Sequence, residues 1–301
     1  MDRDLEVRLA AFRWLAEQTR IHGDVLPRKL LQIGFLFEEM KVSLVSPQGI
    51  HKPKLLDIPL SIATTPNSPY EDRFNEDNLL VYRYRGSNPL HRDNVGLRQA
   101  FENRRPLVYF HGIVPGRYMA VWPVYIVSDN VQMLSFTVAV DEMASLQVDA
   151  NPTIVITEQS ETKRAYLTAT IRQRLHQRDF REKVLRAYRS QCAFCRLKHR
   201  ELLDASHIIP DHLEDGMATV NNGMALCKLH HAAFDSFLLG VTPDYKIVVR
   251  DDILVEVDGP LLKHGLQALH GENIALPRQA TEWPNRNALA WRFDKFLRST
   301  T

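Results

Sequence analysis

The stretches Cys192-Ala-Phe-Cys195, Leu202-Leu-Asp204-Ala-Ser206-His207-Ile-Ile-Pro210 and Asn221-Asn222-Gly223-Met-Ala-Leu-Cys227-Lys-Leu-His230-His231-Ala-Ala-Phe-Asp235 carry most of what this chain reveals. Cys192 and Cys195 are separated by two residues, and so are Cys227 and His230. A tight turn aims both members of such a pair at one ion, and two such turns complete the tetrahedron that Zn²⁺ prefers. These four residues are therefore expected to hold a structural zinc. On a strand, Asp204 shares a face with Ser206 because side chains alternate. On a helix, His231 and Asp235 lie one turn apart and share a face.

Around this segment the chain is ordinary. Its 301 residues suffice for two domains that each bury a core, and its 45% hydrophobic and 25% charged residues are those of a globular protein. All three cysteines lie in the quoted stretch, an odd number that favours metal over disulfides. The N-terminus mixes acids and arginines with its apolar residues, unlike a secretory leader. No apolar run approaches the ~20 residues of a membrane span, so a cytoplasmic location is expected. A net charge of +2 does not by itself imply a nucleic-acid partner. The charge is uneven, however. Between Glu161 and Arg200 basic residues crowd the chain, Arg172, Arg174, Arg178, Arg181, Lys183, Arg186 and Arg189 among them, against only Glu161, Asp179 and Glu182. Such a segment is either a solvated helix surface or a phosphate contact.

Leu5, Leu9, Phe12, Leu15 and Ala16 recur at helical spacing and predict an opening amphipathic helix. A second helix is expected over Arg28–Met40. From Val42 to Ile126 short apolar or alternating runs broken by Pro, Gly, Asn and Asp read as strands, with a short helix at Asn94–Asn103. Charged helical sequence follows from Glu158 to Arg189. Beyond the cysteines, Lys246–Val249 and Ile253–Val257 read as a strand pair turned through Asp251 and Asp252, and Asn287–Leu297 as a closing helix. The expected organisation is α+β, with a β-rich domain and its flanking helices over 1–155, a basic helical linker over 156–185 and a metal-bearing domain over 186–301.

The order Cys-x2-Cys, His-Ile-x-Pro, Asn-Gly-x-x-Leu-Cys-x2-His-His resembles the HNH, or ββα-metal, endonucleases, specifically a zinc-stapled subgroup that includes modification-dependent restriction enzymes. The resemblance covers roughly a fifth of the chain. It implies that His207 is the general base, Asn222 the middle Asn that holds the hairpin, and His231 a ligand of one catalytic Mg²⁺ or Mn²⁺. Imidazole titrates closest to neutral pH, which suits it to take a proton from water. A divalent ion offsets charge on the phosphate and the leaving oxygen. Many family members place Asp or His just before the base, where Ser206 stands here. Asp204 or Asp235 can supply the missing carboxylate.

Upstream, Tyr70-Glu71-Asp72-Arg73, Tyr82, Tyr84-Arg85-Gly86, Asn94 and Tyr118 resemble the SRA (YDG) domain, a PUA-like fold that flips a modified cytosine out of the duplex. That resemblance implies Tyr70 and Tyr82 as aromatic walls and Asp72 or Arg73 as base readers. The family commonly has an acid where Arg73 stands, so either the register shifts by one or the base is not plain 5-methylcytosine. Together the two resemblances imply a restriction endonuclease acting on double-stranded DNA with methylated or hydroxymethylated cytosine, as a homodimer if one site cuts each strand. Two other functions fit the same residues: a non-catalytic zinc-containing DNA reader, and a nuclease whose first domain senses a signal other than DNA.

Overall fold

The first helix, α1 (Arg3–His22), starts where Asp2 caps it by accepting from the Asp4 amide, and it buries Val7, Ala11, Phe12 and Leu15. The computed structural model describes residues 2–66, 73–75, 79–140 and 158–299, with backbone alone at 73, 74 and 158–165. The chain is α+β and divides into two compact units, Met1–Leu175 and His176–Thr301.

In the first unit the elements run β1 (Val25–Pro27), α2 (Arg28–Ile33), β2 (Phe35–Phe37), β3 (Met40–Val42), β4 (Ile50–His51), β5 (Ser61–Ala63), β6 (Arg73–Phe74), β7 (Leu80–Arg83), α3 (Arg92–Glu102), β8 (Leu107–Val114), β9 (Arg117–Asn130) and β10 (Ser135–Val140). An eight-stranded sheet orders β4-β5-β8-β9-β10-β7-β6, with β1 also on β9. The β5–β8 pair is parallel, whereas β9 pairs antiparallel with β1, β8 and β10. Alternation along β8 sorts the core into two layers. Val108 and Phe110 pack with the apolar face of α1, while Leu107 and Tyr109 pack with Leu97 and Ala100 of α3 and with Tyr82, Tyr84 and Phe136. Both faces are covered, which is why β8 is apolar almost throughout.

The expected helix over Arg28–Met40 stops at Ile33. Gly34 has φ +63, and a Cβ there would lie 1.9 Å from the Val42 carbonyl oxygen, so the backbone turns and Phe35–Phe37 pairs with Met40–Val42 instead.

The next helix, α4 (Glu158–Ala187), is one continuous element. The units divide at Leu175 and His176 inside it. The second unit continues with β11 (Leu203–His207), β12 (Gly223–Cys227), α5 (Lys228–Asp235), β13 (Leu239–Val241), β14 (Ile247–Val249), α6 (Asp251–Val255), α7 (Pro260–Gly265) and α8 (Arg286–Arg298). Phe180, Val184, Leu185 and Tyr188 of α4 share one core with both strands of the β11–β12 hairpin, Phe234 of α5 and Leu289 of α8.

The strand expected at Ile253–Val257 is absent. Asp251 and Asp252 open the helical turn α6, where carboxylates suit the N-terminal dipole. The partner of β14 is β13, and Val257 is exposed. Among the described residues no helix is long and apolar enough to cross a membrane.

Candidate active site

Helix α4 ends through Arg189 and Ser190, both at positive φ, and the chain enters a knuckle in which Cys192 donates its amide to Leu197 O and accepts from Arg196 N. Cys227 closes β12 and caps α5, so His230 falls in the first helical turn. The ligand atoms of Cys192, Cys195, Cys227 and His230 all lie within 4.8 Å of one another. His230 Nδ1 is 3.4 Å from Cys192 Sγ and 3.2 Å from Cys227 Sγ, and the Cys195 and Cys227 sulfurs are 4.0 Å apart. Bonds of ~2.3 Å to a tetrahedral ion put sulfurs about 3.8 Å apart. His230 Nε2 sits 2.7 Å from Gly265 O. Since a carbonyl only accepts, that nitrogen carries the proton and Nδ1 offers its lone pair to the cluster. The donor set fits a structural zinc ion.

The β11–β12 hairpin and α5 form a ββα unit beside this cluster. Antiparallel pairing sets His207 opposite Gly223 and Ser206 opposite Met224. His207 stacks on Phe180, with ring centroids 3.9 Å apart and planes 12° from parallel. Its Nε2 is buried without a hydrogen-bond partner. Burial pushes the imidazole below its ordinary value and His231 adds to the shift, while Asp211 and Asp235 oppose it. Asn222 is buried and fully engaged with the loop that follows His207. Its Oδ1 accepts from Ile209 N, and its Nδ2 donates to Ile209 O and Met217 O.

On the other side of the hairpin, Asp204 and Ser206 meet α5. His231 Nε2 lies 3.1 Å from Asp235 Oδ2, and its Nδ1 lies 3.9 Å from Asp204 Oδ2. The two candidate acids thus flank opposite edges of one imidazole. The hydrogen bond that His231 donates to the Asp235 carboxylate raises its pKa despite its burial. Burial works to raise Asp235, yet His231 and Arg292 hold it below the usual carboxylate range. Asp235 also accepts from Ser206 Oγ at 3.4 Å, whereas Asp204 pairs with Arg181 Nε at 3.3 Å. Among the described residues the cysteine–histidine quartet is the one group of three or more such ligands that converge. His231, Asp204 and Asp235 are neighbours outside that group.

Of the expected base-reading residues, Tyr70 and Asp72 lie outside the described residues, and Arg73 is described only as backbone in β6. Tyr82 is 7% exposed, in the core layer beneath α3.

Three residues escaped the sequence reading. Arg292 of α8 is buried. It donates to Ile208 O and Phe234 O, pairs with Asp235 at 3.2 Å and lies over the Phe234 ring. Its signal was an arginine on the buried stripe Ala288, Leu289, Arg292 and Phe296. Arg181, counted earlier in a basic surface, donates to Leu203 O and pairs with the buried Glu182, which also binds Arg200. Part of the basic segment is thus internal, while Arg186, Arg189, Arg196 and Lys198 stay exposed. Phe180 had no distinguishing signal, since nothing in sequence ties it to His207.

Residues 192–242 match the family model described as HNH endonuclease. The chain carries an HNH endonuclease domain. No curated protein matches it. Among solved structures it is similar to the modification-dependent TagI restriction endonuclease, with 16% identity over 79% of this chain and 82% of that one and a TM-score of 0.29. It is also similar to the type IV phosphorothioation-dependent restriction endonuclease ScoMcrA, with 12% identity over 81% of this chain, 59% of that chain and a TM-score of 0.22.

Proposed function

We propose that the protein is a modification-dependent restriction endonuclease that hydrolyses phosphodiester bonds of double-stranded DNA containing methylated or hydroxymethylated cytosine. The observation that carries the nuclease chemistry is the ββα unit: His207 at the end of the first strand, pushed toward its neutral form by burial, with the His231, Asp204 and Asp235 group on the helix side. A neutral imidazole takes the proton of an attacking water. Asn222 ties down the loop beyond His207 and so fixes where that strand ends. A divalent Mg²⁺ or Mn²⁺ held by His231 with Asp204 or Asp235 would supply charge stabilisation at the phosphate and the leaving oxygen. The quartet holds zinc as a staple, apart from the chemistry. The exposed Arg186, Arg189 and Arg196 offer charge to the DNA backbone.

The targeting half of this reading assigns base recognition to the first unit, through Tyr70, Asp72 and Arg73, and the cutting of both strands to a homodimer. Its support is the SRA-like run of residues around Tyr70 and the order of a β-rich unit ahead of a nuclease domain. The test is digestion of duplexes identical in sequence but carrying cytosine, 5-methylcytosine or 5-hydroxymethylcytosine, with Mg²⁺ or Mn²⁺ and with chelator. Cleavage confined to a modified duplex and abolished by chelator is expected. Equal cleavage of all three discards the base-reading half and leaves the nuclease standing. No cleavage under any condition removes both.

A further inference from the structure

A histidine that serves as a general base ordinarily takes its aim from a hydrogen bond on its second ring nitrogen. His207 Nε2 has none: it is buried and without a partner. What touches the imidazole instead is a face-to-face phenyl ring, that of Phe180, 3.9 Å away and 12° from parallel. Phe180 is itself buried and packed among Val184, Met224 and Ala225.

The seat of that ring is the backbone of Gly223, the ladder partner of His207. A Cβ at 223 would lie 2.8 Å from Phe180 Cζ and 2.6 Å from Val184 Cγ2. Contacts that short require the helix side chains to move. The glycine after Asn222 thus leaves the space in which Phe180 reaches His207. Resting on the reading of His207 as general base, we propose that Phe180, seated on Gly223, is its positioning residue. The stack fixes the plane of the imidazole, whose Nε2 is buried away from water. A buried Nε2 cannot reach an attacking water, so proton transfer falls to Nδ1. The arrangement also joins α4 to the nuclease centre.

The charged groups that act on His207 are Asp211 in the following loop and Asp235 and His231 on α5, while α4 turns the neutral Phe180 toward it. The stack can therefore be disturbed without changing the charges around the base. The test compares wild type, Phe180→Leu, Gly223→Ala and His207→Ala as full-length zinc-loaded proteins. The substrate is duplex DNA with 5-hydroxymethylcytosine in place of cytosine, in Mn²⁺, with kcat, KM, pH profile, zinc content and thermal unfolding measured. Phe180→Leu keeps apolar volume but offers no flat face, and Gly223→Ala displaces the ring from below. Both are expected to lose at least about tenfold in kcat at unchanged KM and zinc content, as small misplacements of a reacting group do. Their acid limbs should move toward the ordinary histidine value. Should Phe180→Leu not fold, Phe180→Met is the variant to read. If His207→Ala is inactive while the folded stack variants keep kcat and pH profile within about twofold, the positioning role is overturned and the base stands. If His207→Ala cuts like wild type, the base reading fails and the proposal with it.

Discussion

His207 shows how one residue's environment sets its chemistry. Burial holds its imidazole below the ordinary 6.5, and a general base works only when unprotonated. Cleavage should therefore persist above the lowered value and be lost as pH falls through it, with the acid limb of kcat/KM lying below 6.5. A limb at or above that point would show that the burial is not felt in catalysis. Replacing His207 with Ala should cost ~10²–10⁴-fold in kcat with DNA binding kept. Arg292 presents a different case, since its guanidinium joins the carbonyl after His207, the end of α5 and Asp235. Asp235 is half exposed, so solvent screens the ion pair and the carbonyl bonds matter more. Arg292→Met should lower stability by about 1–3 kcal/mol through unsatisfied buried carbonyls. Urea unfolding measures this, and an unchanged midpoint would remove Arg292 from the scaffold.

Among the secondary-structure elements, the β11–β12 hairpin and α5 were legible as a motif because their histidine, asparagine and cysteine residues stand at spacings that strands and helices impose. The zinc knuckles follow the same logic. Cys195→Ser should reduce bound zinc from about one per chain and destabilise the second unit, since structural zinc contributes folding energy directly. Metal analysis alongside thermal unfolding checks it, and a zinc-free protein of wild-type stability would refute the site. Strand β7 illustrates the opposite lesson. Tyr82 fits a base-reader spacing in sequence, yet alternation along β7 turns its ring into the core with Ile50, Ile62 and Phe136. Tyr82→Ala should therefore cost ~3–5 kcal/mol of stability, as large aromatic truncations in cores do. Loss of base discrimination with an unchanged unfolding midpoint would restore the recognition role.

For the chain in its two units, the functional proposal predicts division of labour. One nuclease centre per chain cuts one strand, so double-strand cleavage by a homodimer should rise more steeply with enzyme concentration than nicking does. Gel analysis of nicked and linear products over an enzyme titration tests this. Parallel slopes at all concentrations would argue for a chain that acts alone.

The cysteine–histidine quartet, the ββα order and the α+β class could be read before any coordinates, because ligand spacing and helix or strand periodicity are local: they depend on residues a few positions apart. Gly34 ending α2, and Asp251 and Asp252 opening α6, were missed because close approach of distant backbone and the choice of strand partner are not local. The same is true of Phe180 on His207 and Arg292 beneath Asp235, which lie 27 and 57 residues apart in the chain and meet only through packing of one core. Residue types and spacing thus determined which chemistry is present. Burial and long-range packing decided which histidine is pushed toward its neutral form, which acid is paired and which tyrosine is core, because desolvation and contact between distant residues exist only in the folded chain.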